Sequence, residues 1–447
     1  MKKVLAYPMF PVRGLMNGRR ALHFVMQGLV VQVLVQMLNI LTGLLTARLL
    51  GPEGRGELIV LTVWPYVLGT LATSGLPSAI TYHLARRREG AQPAFVAAIL
   101  LALAMAVAAI ALAHALIPAL MPAWSAELVT TATTLAWFVL LNAVMIVCRQ
   151  FLLAQGSMAA YHGLYVGPPL AYLAALVAVH TTVGLTPVGA AVCLLASGLP
   201  SCLVAFGFIL KEIATRRGVS ATETLSWSRS LSGYAVRAYS GEVVFLLLPF
   251  VERLALANVV DASDLGIYNV AGSLSGLLFF VALGAGQVLL RALTKASPTR
   301  RAEIHDHAVR LGFWFVALLS TGLWIVGGPA ITVAFGSDFE PAVPVFHLLL
   351  VSSGLICVAQ LAGQTALSMG WSKLFSASEL LGAVTAILGI LLAAPYYGVM
   401  GAGIAMIVGA AVRLSLILGV LHFGCATRLS RILPSAGDLR FVRDALG

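Results

Sequence analysis

The sequence predicts an all-α polytopic membrane protein, with about twelve transmembrane helices in two six-helix lobes. Three observations predict it. Hydrophobic residues make up 60% of the 447 residues and charged residues only 10%, whereas a soluble domain carries about 25% charged side chains. Twelve apolar stretches, each near the length of about 20 residues that one helical crossing needs, follow one another with short polar joints. Two short motifs from the first half recur in the second half at nearly the same offset.

The expected spans are 22–47, 58–83, 94–117, 128–152, 161–181, 188–210, 234–259, 267–290, 311–335, 345–369, 374–395 and 401–423. Turn residues separate them: Gly51-Pro52 after the first, Pro118 to Pro122 after the third, and Gly336 to Pro344 after the ninth. The first stretch is longer than a signal-peptide core and lacks a convincing cleavage site, so it reads as a transmembrane helix behind a basic tail.

Charge sets the orientation. Counted from the N-terminal tail, alternate polar segments hold 23 Lys and Arg residues against two, Arg48 and Arg55, in the other set. Three more, Arg237, Arg253 and Arg413, lie within spans, which accounts for all 28. Basic residues collect on the cytoplasmic side, so both termini are expected in the cytoplasm. The net charge of +11 is then explained by cytoplasmic loops facing anionic headgroups, and nucleic acid is not an expected partner.

The repeats divide the chain. Leu50-Gly51-Pro52-Glu53-Gly54-Arg55-Gly56-Glu57-Leu58 opens the second span, and Val260-Asp261-Ala262-Ser263-Asp264-Leu265-Gly266-Ile267-Tyr268 opens the eighth, at an offset of 210. Thr186-Pro187-Val188-Gly189-Ala190 and Gly398-Val399-Met400-Gly401-Ala402 open the sixth and twelfth at an offset of 212. Six crossings per half is an even number, so both halves share one orientation, and repeat-built transporters place substrate at the interface of their halves. The expected organisation is a basic tail over 1–21, an N-terminal lobe over 22–210, a cytoplasmic linker over 211–233, a C-terminal lobe over 234–423 and a cytoplasmic tail over 424–447.

The same motifs carry a family resemblance. ARLLGPEGRGEL (Ala47–Leu58) resembles the signature of the polysaccharide transporter family, the O-antigen or Wzx-type flippases, within the multidrug, oligosaccharidyl-lipid and polysaccharide exporter superfamily. FVERLALANVVDASDLGIYNVAG (Phe250–Gly272) and YYGVMGAGIA (Tyr396–Ala405) are similar to later pieces of that family. The resemblance implies a flippase that moves a lipid-linked oligosaccharide, on an undecaprenyl-diphosphate-type carrier, from the inner to the outer leaflet of the bacterial inner membrane. It implies a central cavity between the lobes, alternating access, and polysaccharide polymerase or glycosyltransferases as partners beside the membrane lipids. It implies no resident cofactor, and leaves open coupling to H⁺ or Na⁺.

Charges inside spans are the leading site candidates, because an Arg or Asp at a helix centre costs about 2.5–3.5 kcal/mol on insertion scales. The seventh span holds Arg237, Glu242, Glu252 and Arg253 around Pro249. With such a carrier, Arg253 and Arg413 are expected to meet the diphosphate, since a guanidinium presents a fixed fork of donors to phosphate oxygens. The competing role is a structural ion pair between helices. Arg237 either joins them or snorkels to the headgroups, and Arg48 either acts on substrate or anchors the outer interface. Glu242 and Glu252 are the ion-coupling candidates, with structural pairing as the alternative.

Gln32, Gln36 and Asn39 recur at i, i+4 and i+7 and form one polar stripe on the first helix. Gln360 and Gln364 form an i, i+4 pair in the tenth. Each set either binds sugar hydroxyls or holds helices together, at about 0.6–2 kcal/mol per contact. Glu379 reads as a helix-start residue, and His305 and His307 as solvated loop residues. The five cysteines lie in no metal-ligand spacing and read as small buried hydrophobes. No Walker-type phosphate loop and no His-Glu-x-x-His pair is present, so the chain is not expected to be an enzyme. The first six spans hold no interior Asp or Glu, which disfavours a cation-coupled multidrug antiporter. Outer loops of about ten residues or fewer disfavour a glycan polymerase or ligase.

Overall fold

A computed structural model describes residues 18–86, 91–214, 220–279, 286, 289, 293–294 and 297–425. Among the described residues the chain is helical and carries no strand. The elements are α1 (Gly18–Thr73), α2 (Leu76–Arg86), α3 (Ala91–Leu120), α4 (Ala126–Leu135), α5 (Phe138–Gln155), α6 (Met158–Thr182), α7 (Pro187–Ala196) and α8 (Gly198–Ala214). They continue with α9 (Ala221–Ala257), α10 (Ala262–Ser275), α11 (Pro298–Phe335), α12 (Ala342–Ser368) and α13 (Ser372–Cys425).

Helix α1 runs 56 residues and α13 runs 54, each far more than one crossing requires. Each is two helices joined at a glycine. Gly51 takes φ 67° and Gly398 takes φ 55°, backbone values that a side chain disfavours. Pro52 follows Gly51 at the start of the second arm, where its missing N–H is no loss. Both breaks fall at the expected joints. Among the described residues, eight helical stretches have the length and hydropathy to cross a membrane, and two of them, Val30–Leu84 and Ser372–His422, are these double helices. The seventh expected span falls on α9, and the eighth runs into 280–285, outside the described residues.

The outer surfaces of these helices are apolar. Val204, Leu318 and Val333 are 75%, 70% and 74% exposed, and only 11% of the most apolar window of α11 is buried. Such surface fits hydrocarbon, and all-helical backbone is one of two ways to satisfy every peptide group there.

The chain forms two compact units. The first comprises Met1–Thr46, Trp64–Ala119 and Ala126–Val243, and the second Ala47–Val63, Leu120–Ser125 and Val244–Gly447. In the first unit α5 packs on α2, α6 and α8, with Phe95 against Phe151 at 4.8 Å between ring centroids. Part of the stretch expected as a linker is helical: α9 starts at Ala221, and its Tyr234 stacks on Tyr82 at 4.5 Å. Helix α7 opens on Thr186, whose hydroxyl accepts from the Gly189 N–H at 3.1 Å. Cys148, Cys202 and Cys357 are buried free thiols.

In the second unit α12 packs against α10, α11 and α13. Val309, Val358, Ala362, Ile417 and Leu421 form a core among α11, α12 and α13. The two arms of α13 approach through small residues. A methyl group on Gly389 would stand 2.8 Å from the Ala405 Cβ, and one on Gly409 would stand 2.6 Å from the Gly382 carbonyl oxygen. Close backbone approach of this kind is a common mode of helix association in lipid.

Candidate functional site

The small residues of α13 bring its first arm against Arg413 on the second. A methyl group on Gly382 would lie 2.7 Å from the Arg413 Cβ, so the glycine makes room for the arginine stem. The Arg413 guanidinium forms an ion pair with Glu379 and donates to Gln360 Oε1 at 2.7 Å. Arg413 is 7% exposed and Glu379 4%. Gln364 is also buried, and its amide donates to the Gln360 carbonyl oxygen at 3.4 Å. Two expected site residues, Arg413 and Gln360, therefore meet, with Gln364 one turn further along the same helix, and Glu379 pairs with the arginine. The pairing engages the guanidinium that was expected to meet a diphosphate. Glu379 does not act as a surface helix start. It is a buried carboxylate with an arginine opposite.

His305 also departs from expectation. It is fully buried within α11, not solvated, and its Nδ1 lies 2.7 Å from the Thr365 hydroxyl. Helix α11 extends back to Pro298, which draws the presumed loop into the packed unit.

On α9, Glu252 accepts a hydrogen bond from the Tyr268 hydroxyl of α10. Arg253 follows it, half-buried. The side chains of Arg237 and Glu242 lie outside the described residues.

Arg48 is exposed, and its guanidinium donates to the carbonyls of Ala334 at 2.6 Å and Val333 at 2.5 Å. These are among the last carbonyls of α11, which have no partner within the helix. A cation there also offsets the negative end of the helix dipole. Arg48→Ala is expected to destabilise this end by about 0.3–1 kcal/mol, seen as a small fall in the thermal midpoint of the purified protein. A large loss would mean that Arg48 holds more than a helix end.

The signature stretch that follows is held on the second unit by backbone. A methyl group on Gly56 would stand 1.8 Å from the Ala262 carbonyl oxygen, and one on Gly266 would stand 2.0 Å from the Pro52 carbonyl oxygen. Each partner is offset by 210 from its counterpart, Pro52 to Ala262 and Gly56 to Gly266, so the repeated turns touch reciprocally, as an isologous interface does. Arg55 adds a hydrogen bond to Asn269 Oδ1 at 3.3 Å. Residues 47–63 thus cluster with the second unit although the chain on both sides of them belongs to the first.

Of the polar stripe on α1, Gln32 and Asn39 are exposed and Gln36 is half-buried. Asn39 alone of the three lines a cavity within the first unit, beside Tyr66, Asn142, Tyr172 and Ser197. The last four were not read from the sequence, since each stands singly on its own helix with no shared spacing.

The model of the polysaccharide biosynthesis protein family matches residues 25–295, more than half of the chain. No curated protein sequence matches. Among solved structures, the lipid II flippase MurJ in an inward closed conformation aligns with a TM-score of 0.71 at 11% identity, covering 88% of this chain and 86% of that one. An inward-facing multidrug resistance MATE family transporter of the MOP superfamily aligns with a TM-score of 0.71 at 16% identity, covering 89% and 95%. A MOP superfamily transporter from Pyrococcus furiosus aligns at 0.57 and 14% identity, covering 92% and 95%.

Proposed function

The chain belongs to the polysaccharide biosynthesis protein family, and on that premise we propose that it is a flippase for a lipid-linked oligosaccharide. The family match over residues 25–295 carries this reading, and a fold shared with the lipid II flippase MurJ supports it. The proposed cargo is an undecaprenyl-diphosphate-type carrier bearing the glycan precursor of a cell-surface polysaccharide, moved from the inner to the outer leaflet of the bacterial inner membrane. Both termini face the cytoplasm, following the 23-to-2 split of basic residues.

The residues divide the work. Arg253 is the proposed contact for the diphosphate, because Arg413 has Glu379 and Gln360 as partners. Glu252, held by Tyr268, fixes the helix segment that presents Arg253. Access alternates as the reciprocal glycine contact at Gly56 and Gly266 forms and parts. Any coupling to H⁺ or Na⁺ is assigned to Glu242 or Glu252.

Proteoliposomes loaded with a fluorescent undecaprenyl diphosphate sugar test the reading. The expected result is protein-dependent movement of the label between leaflets, scored by its loss to a membrane-impermeant quencher, and a strong reduction in Arg253→Ala. Movement of a cationic dye against a proton gradient, with no movement of the lipid, would instead identify a multidrug antiporter.

A further inference from the structure

The first unit holds an open-sided cavity of about 160 Å³, below the roughly 300–1,000 Å³ of pockets that take drug-sized ligands. It has room for a fragment the size of one sugar ring. Its polar lining comes from Asn39 on α1, Tyr66 on the second arm of α1, Asn142 on α5, Tyr172 on α6 and Ser197 at the α7–α8 joint. Phe138 adds a third ring. Each of these residues lies inside an expected crossing, so the polar groups stand at membrane depth.

Three features argue that this is a built site. Pro65, the Pro168-Pro169 pair and the α7–α8 joint all border it, and a proline within a helix removes one backbone hydrogen bond. Asn142 is held from behind, because a methyl group on Gly69 would lie 2.5 Å from its Nδ2. The Ser197 hydroxyl donates to the Leu194 carbonyl at 2.6 Å, which leaves its lone pairs as acceptors.

The chemistry selects the ligand. No charged side chain lines the cavity among the described residues, so nothing there matches a cation or a phosphate. Amides and hydroxyls suit the alternating donors and acceptors of a sugar, and aromatic rings suit its apolar face.

We propose that this cavity is a subsite for one neutral sugar residue of the transported glycan. The proposal rests on the flippase reading. The test uses the full chain in nanodiscs and measures binding of undecaprenyl diphosphate alone and of the same carrier bearing a single hexose or N-acetylhexosamine. At least one sugar-bearing carrier is expected to bind about tenfold tighter than the bare carrier, the effect of 1.4 kcal/mol. Asn142→Leu is expected to erase that difference while leaving bare-carrier affinity unchanged. Gly69→Ala, which displaces the same amide, is expected to reduce the difference in part. Tyr66→Phe keeps the ring and removes one hydroxyl, and gives a second reading should Asn142→Leu fold poorly.

If no sugar-bearing carrier is preferred, or if Asn142→Leu and Tyr66→Phe weaken all carriers equally, the subsite assignment is overturned. Bare carrier would still bind and move between leaflets in that case, and the flippase reading would stand. If the wild-type protein neither binds nor moves any carrier, both fall.

Discussion

Replacing Arg413 with Ala is expected to remove most of the folded protein, and replacing Arg413 and Glu379 together is expected to restore it. The pair is almost fully buried, so deleting the arginine leaves a carboxylate in an apolar surrounding with its cation gone. Breaking a buried pair from one side costs about 3–5 kcal/mol, whereas apolar replacement of both partners is often neutral. That cost is a large part of the 5–15 kcal/mol that holds a typical domain together. Arg413→Ala should therefore give low yield and a much reduced thermal midpoint in detergent. The double variant Arg413→Met with Glu379→Leu, which preserves volume and carries no charge, should recover most of both. Glu379→Gln is the intermediate case, because its amide oxygen still accepts from the guanidinium. If Arg413→Ala melts like the wild type and only lipid movement falls, the arginine acts on substrate and the ion pair is incidental to the fold.

The fate of Arg413 shows where sequence reasoning stops. Composition, apolar spans and repeated motifs made the helical membrane class legible, and the breaks at Gly51 and Gly398 were visible as joints because glycine marks positive φ. That Arg413 was a costly intramembrane charge was also legible. Its partner was not: Glu379 lies on the other arm of the same helical hairpin, 34 positions away, and no local period links them. The signal that existed was indirect, in Gly382, Gly389 and Gly409, whose spacing permits the close approach. His305 was misread for a related reason. Neighbouring charges suggested a loop, but burial is decided by the Thr365 hydroxyl on another helix. The cavity residues Asn142, Tyr66 and Tyr172 come from three helices, and only folding assembles them.

Gly56→Ala and Gly266→Ala are expected to part the contact between the repeated turns. A methyl group at Gly56 would sit 1.8 Å from the Ala262 carbonyl oxygen and 2.6 Å from its carbonyl carbon. These are backbone atoms, which cannot rotate away as a side chain can. Overpacking of this kind costs about 1–3 kcal/mol, a roughly 5- to 150-fold shift in the balance between contact and separation. The readout is a Cys placed at Ala262 in a chain whose own cysteines are replaced by Ala. Its reaction with a membrane-impermeant maleimide added outside should quicken in Gly56→Ala over the parent chain. Because Gly56 and Gly266 meet in one reciprocal contact, their effects should not add: once one methyl group has opened the turns, the second finds no clash. A double variant that labels no faster than either single would support one shared contact. Unchanged labelling in all three would mean that the turns rest together without limiting access to Ala262.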